Sequence, residues 1–172
     1  MRAREAARRA RGIRLLILDV DGVLSDGRLV YGPAGEETKV FYVRDGHAIV
    51  AARAAGLDVA VVSGRSSTAV SRRLEDLGVR EVHQGVRDKV ALLPDLCNRR
   101  GIVPGDVAFM GDDLQDLPLL TRVGLALAPA DAVREVRRVA HWISRLPGGS
   151  GAVREAIEWL LKARGAWPPP GV

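Results

Sequence analysis

The sequence predicts an α/β fold, a parallel sheet between two helical layers, on three observations. Short apolar runs recur along the chain, helical patterns fill most intervals between them, and acidic or hydroxyl residues cluster where several runs end. Strands alternating with helices imply parallel pairing with right-handed crossovers. With 172 residues the chain fits one domain, since domains run roughly 100–200 residues. Aromatics make up 4% of a chain that is 47% hydrophobic, so the interior is expected to be Val, Leu, Ile and Ala.

The first segment is basic. Residues 1–14 hold six arginines against Glu5, and the remainder balances 20 basic with 20 acidic groups. The net charge of +5 therefore sits in residues 1–14, mostly in a short basic arm, residues 1–11, expected to be a solvated helix leading into the first strand. A neutral body argues against nucleic acid as the main partner. The first strand is expected over 13–20, where the apolar run is broken only by Arg14 and Asp19, the pattern of a strand buried on both faces. Further strands are expected over 57–62, 79–82, 106–110 and 123–127. Helices are expected near 46–55, 66–77, 87–100, 113–121, 131–139 and 150–163, with Pro94 kinking or splitting the third. Residues 28–43 depart from the alternation: two short β-rich runs flank Gly32-Pro33-Ala34-Gly35, which predicts a hairpin inserted after the first strand. The whole is a three-layer, Rossmann-like arrangement over 12–164. A Pro-rich tail over 165–172, expected to be extended or disordered, follows.

The lone Cys97 excludes an intrachain disulfide and fits a reducing compartment. No apolar run reaches the ~18 residues of a membrane span and no secretory signal is visible, so a cytoplasmic protein with no membrane partner is expected.

Ligands of open α/β sheets collect at the carboxyl ends of the strands. Four clusters fall there: Asp19-Val20-Asp21-Gly22, Ser63-Gly64-Arg65, Lys89, and Gly111-Asp112-Asp113. Asp19 and Asp21, two residues apart on an extended segment, are expected on the same face. Burying like charges together is costly without a cation. Asp19, Asp21 and Asp112 are thus candidate ligands for Mg²⁺, which binds few carboxylates, keeps waters and coordinates phosphate. Phosphoryl transfer needs a nucleophile, charge neutralisation and a proton source. Asp19 can attack phosphorus, and Asp21 can serve the leaving oxygen and then the water. Ser63 and Lys89 can hold phosphate oxygens, and Gly64 allows close backbone approach.

These strings resemble the four motifs of the haloacid dehalogenase superfamily: Asp19-Val20-Asp21-Gly22-Val23-Leu24-Ser25, Ser63, Lys89 and Gly111-Asp112-Asp113-x-x-Asp116. Val43-Arg44-Asp45-Gly46, Gln84-Gly85-Val86-x-Asp88-Lys89 and Pro147-Gly148-Gly149-x-Gly151-Ala152-Val153-Arg154-Glu155 narrow the likeness. They resemble the 3-deoxy-D-manno-octulosonate 8-phosphate phosphatase family, over about residues 12–163. The resemblance implies that Asp19 is the nucleophile and Asp21 the acid/base. It also implies that Mg²⁺ is held by the side chains of Asp19 and Asp112 with the main-chain carbonyl of Asp21. Asp113 and Asp116 then support the metal site or its waters. It further implies no large cap domain, a homotetramer assembled through the hairpins, and a place for Gly148-Gly149 at a neighbour's site. Arg65 is the candidate for the carboxylate of a small phosphorylated sugar acid. Phosphatases of other sugar phosphates, such as a nine-carbon ulosonate 9-phosphate, share the scaffold, as does a non-catalytic oligomerisation or binding module. His47 is a candidate for specificity, and Trp167 for docking on a partner subunit.

Overall fold

The computed structural model describes residues 2–169. The basic segment forms helix α1 (Arg2–Ala10), and the first strand, β1 (Leu15–Leu18), follows. The ribbon β2 (Val30–Tyr31) and β3 (Glu37–Thr38) comes next, then α2 (Val43–Ala54), β4 (Asp58–Val62), α3 (Thr68–Asp76) and β5 (Glu81–His83). A 3-10 turn at Val90–Leu92 leads into α4 (Leu93–Asn98), followed by β6 (Val107–Met110). A further 3-10 turn, Leu114–Asp116, runs into α5 (Leu117–Leu120), and β7 (Leu125–Ala128), α6 (Arg134–Val139), β8 (Trp142–Ile143) and α7 (Ala152–Ala163) follow.

The sheet is parallel throughout, in the order β5-β4-β1-β6-β7-β8, with Leu15 opposite Asp58 on one side and Val107 on the other. The period of two along each strand sorts the core into two layers. Leu16, Leu18, Val59, Val61, Ala108 and Met110 face α1, α2, α3 and α7. Leu15, Ile17, Ala60, Val62 and Phe109 face α4, α5 and α6, where Cys97 is buried among aliphatic neighbours. After β1 the chain builds outward through β4 and β5, then returns to β1's other flank at β6. That reversal opens a crevice at the carboxyl ends of β1 and β6.

The break at Pro94 is the expected one: it splits the 87–100 helix and sits in the first turn of α4, where its missing N–H costs nothing. Several expectations change. The 113–121 helix begins as a 3-10 turn. An unforeseen edge strand, β8, pairs Trp142 with Leu127. The arginine-rich segment is a helix, but not a fully solvated one. Its Ala6 and Ala10 are buried in the core, and Arg9 donates to the carbonyl of Gly124 at 2.8 Å. The tail folds back as far as Trp167, which packs on the core with the Arg154 guanidinium 4.9 Å from its ring centre. Nearby, Trp142 and Trp159 stack at 5.2 Å. Residues 170–172, the rest of the expected extended tail, lie outside the described residues. Among the described residues no helix is long and apolar enough to cross a membrane.

One buried carboxylate joins distant segments. Asp45, in the first turn of α2, accepts the N–H groups of Gly151 (3.2 Å) and Arg154 (2.7 Å) at the start of α7. Gly151 occupies the N-cap of α7 and has no side chain to satisfy those donors, so Asp45 caps the helix from outside. Burial pushes its carboxyl up to about 6, against the pull of the two N–H groups. Replacing Asp45 by Ala orphans two buried donors, and urea unfolding should show a loss of ~1–3 kcal/mol.

Candidate active site

Asp19 follows β1 and lies at the crevice floor, 2% exposed. Its Oδ1 takes the Lys89 ammonium at 2.8 Å, and the same ammonium reaches Asp116 Oδ1 at 2.6 Å. Lys89 arrives from the loop after β5, and Asp116 from the 3-10 turn after β6. Burial opposes the charge on Lys89, but the two carboxylates outweigh it and hold the group above its usual range. Asp116 is fully enclosed. Its second oxygen accepts the N–H groups of Asp112 (2.9 Å) and Asp113 (3.3 Å), which fixes the backbone carrying Asp112.

Oxygens of Asp19, Asp112 and Asp116 lie within 4.8 Å of one another. Both Asp116 oxygens are already engaged, whereas Asp19 Oδ2 and Asp112 Oδ1 are buried with no hydrogen-bond partner. Burial first, then the charges of Asp19, Asp116 and Asp113, pushes Asp112 up to about 8. Burial and Asp116 likewise raise Asp19, against the pull of Lys89. Two orphaned carboxylate oxygens converging in a buried site fit a hard divalent cation, which would relieve both penalties at once. Gly22 lets the loop after β1 approach: a Cβ there would fall 2.0 Å from Asp112 Oδ2, and its φ of +84° suits glycine.

Asp21 corrects an expectation. Its carboxylate is not one of the clustered three: the strand ends at Leu18 and the N–H groups of Val23, Leu24 and Ser25 all turn onto the Val20 carbonyl. The alternation of an extended chain no longer applies, and Asp21 Oδ1 instead meets the Lys39 ammonium from the hairpin. Lys39 also pairs with Glu37 (3.1 Å), and Glu37 takes Arg65 at 2.5 Å. Arg65 Nε stands 3.9 Å from Asp21 Oδ2. Sequence reasoning missed Lys39 and Glu37. The available signal was two opposite charges two residues apart on a β-ribbon, hence on one face.

Ser63 is buried after β4; its N–H donates to His83 and its hydroxyl accepts from the Arg65 N–H at 3.2 Å. A Cβ on Gly64 would stand 3.5 Å from the Gln115 side chain, so the loops after β4 and β6 adjoin. His47 is exposed on α2 and Asp113 caps the turn after β6. The Gly148-Gly149 segment packs on the chain's own loop after Asp21, where a Cβ on Gly148 would fall 1.8 Å from the Gly22 carbonyl.

The fold and this acid-lined crevice are those of a haloacid dehalogenase-like hydrolase, the family whose pattern residues 79–157 match. The chain is 45% identical over 157 residues to the 3-deoxy-D-manno-octulosonate 8-phosphate phosphatase KdsC of Escherichia coli K12, covering 91% of this chain and 84% of that protein. The Yersinia pestis phosphatase of the same name superposes with a TM-score of 0.91 at 42% identity, over 94% of this chain and 87% of that one. The Moraxella catarrhalis phosphatase, solved in complex with a magnesium ion, a phosphate ion and a KDO molecule, gives 0.92 at 39%, over 95% and 94%. The chain belongs to the 3-deoxy-D-manno-octulosonate 8-phosphate phosphatase family.

Lys89→Met strips the counter-charge from two enclosed carboxylates. Denaturant unfolding at pH 8 should show a loss of about 3 kcal/mol. The loss should shrink at pH 5, below the value of about 6 to which burial and Asp116 raise Asp19, where that carboxylate takes up a proton.

Proposed function

We propose that this chain is a magnesium-dependent phosphatase that hydrolyses 3-deoxy-D-manno-octulosonate 8-phosphate to the free sugar acid and inorganic phosphate. The observation that carries the reading is the pair of buried, unpartnered oxygens on Asp19 and Asp112, set at the sheet's switch point beside the enclosed Lys89. The side chains of Asp19 and Asp112, with the main-chain carbonyl of Asp21, would hold Mg²⁺. When bound, the ion neutralises the clustered carboxylates and the charge of the phosphoryl group.

In this reading the chain's own groups divide the work. Asp19 attacks phosphorus, the P–O bond to the sugar breaks, and Asp21 gives its proton to the departing oxygen. Water then attacks the aspartyl-phosphate while Asp21 takes a proton back, which returns Asp19 and releases phosphate. Lys89 holds Asp19 in place and adds positive charge beside the phosphoryl oxygens. Ser63 supplies a hydroxyl and Gly64 an unobstructed backbone. Arg65, half-exposed at the rim and paired with Glu37, is the candidate to meet the sugar's carboxylate by a two-pronged pair.

Phosphate release across a panel of phosphorylated sugars and sugar acids, with and without Mg²⁺, tests the reading. The expected result is strong, metal-dependent preference for the eight-carbon substrate, and loss of turnover by ~10³-fold or more in Asp19→Asn. Preference for another ester overturns the substrate; activity retained in Asp19→Asn overturns the covalent route.

The proposal includes a homotetramer and a cytoplasmic location. An isolated two-stranded ribbon is marginal without packing partners. The ribbon β2–β3 pairs with no other strand among the described residues, and Leu29, Val30, Tyr31, Val40 and Val43 around it are exposed. That apolar surface supports assembly through the hairpins, and the lone buried Cys97 suits a reducing compartment. Light scattering at micromolar concentration should return four times the chain mass; a monomer sinks the assembly.

A further inference from the structure

The hairpin does more than present an apolar surface. Lys39 carries a side chain only 1% exposed, between Asp21 (20% exposed) and Glu37 (15%). A buried ammonium needs its partners in place, since its desolvation is repaid only by close charge and hydrogen-bond contacts. Here they come from two segments that are otherwise independent: the loop after β1 and the inserted ribbon.

The oxygens of Asp21 are thereby made unequal. Oδ1 receives the Lys39 ammonium and faces the Ser25 hydroxyl at 3.4 Å. Oδ2 has neither contact; its charged neighbour is the Arg65 guanidinium, 3.9 Å away on the rim. We propose that Lys39 is a positioning residue for the acid/base step, gripping Oδ1 of Asp21 so that Oδ2 is the oxygen presented to the leaving group. Glu37, two residues back on the same face of the ribbon, anchors the ammonium. It also takes Arg65 at 2.5 Å, so the chain Asp21–Lys39–Glu37–Arg65 links proton transfer to the rim where the sugar enters. The inference rests on the acid/base reading of Asp21 given above.

Its consequence depends on the leaving group. A sugar alkoxide leaves poorly without a proton, whereas nitrophenolate needs none. Misplacing a catalytic group by about 1 Å can cost ~10²-fold. Under single-turnover conditions with enzyme in excess, Lys39→Met should slow cleavage of the sugar-acid phosphate by ~10–100-fold. Cleavage of p-nitrophenyl phosphate should stay within about threefold of the parent. Lys39→Arg should recover part of the lost rate, and Glu37→Gln should show the same ester-selective loss at smaller size. Circular dichroism and the Mg²⁺ dependence of the thermal midpoint report whether fold and metal site survive. If Lys39→Met does not fold, Glu37→Gln carries the comparison. Equal slowing of both esters, or no slowing of either, overturns the proposal. Asp21→Asn separates the two levels. If it slows the sugar ester and Lys39→Met does not, the positioning role alone fails. If Asp21→Asn is as fast as the parent on both esters, the acid/base reading itself fails.

Discussion

A single ammonium group, that of Lys89, holds the crevice together. It is enclosed at the rim of an apolar sheet, where an isolated charge would be expelled, and it stays because Asp19 and Asp116 close on it at 2.8 and 2.6 Å. Three loops depend on that contact. The loop after β5 delivers the ammonium, the loop after β1 the first carboxylate, and the turn after β6 the second. Asp116 passes the constraint on, because its other oxygen ties down the N–H groups of Asp112 and Asp113. Ion pairs thus set the geometry of the site, and leave one oxygen each of Asp19 and Asp112 buried beside them without a hydrogen-bond partner.

The sheet and the site are built on opposite principles. Below the rim the strands are wholly apolar, with Leu15 to Leu18 buried on both sides by two helical layers. Above it, polar groups crowd a small volume and the backbone must pass unusually close to them. Gly22 against Asp112 and Gly148 against the Gly22 carbonyl are the tightest of these passages. Asp45 braces the same region from behind by fixing the start of α7 directly after the Gly148-Gly149 segment.

The strand–helix alternation was legible because it is local: continuous apolar runs mark strands buried on both faces, and Pro94 announced its own break. The clusters after β1, β4, β5 and β6 were legible too, since strand ends in such a sheet share one edge. What failed required tertiary knowledge. β8 is two residues long and gains its identity only by pairing with Leu127 and Ala128. Asp21 was misaimed because alternation was extended past Leu18, where the chain turns onto the Val20 carbonyl. Lys39 and Glu37 look like an ordinary charged hairpin until the ribbon folds over Asp21. The basic first helix and the Pro-rich tail read as appendages by composition, yet Ala6, Ala10 and Trp167 pack on the same core layer.

That last packing gives the molecule an uneven optical character. Trp142, Trp159 and Trp167 gather around α7, and the chain has no other indole. The crevice lies instead at the carboxyl ends of β1 and β6, among carboxylates, a lysine and a serine that do not fluoresce. Tryptophan emission from this protein therefore observes the flank where α1 and the segment reaching Trp167 are tucked against the sheet. It follows the loosening of α7 and the tail from the core, and is nearly blind to events at the acid-lined rim.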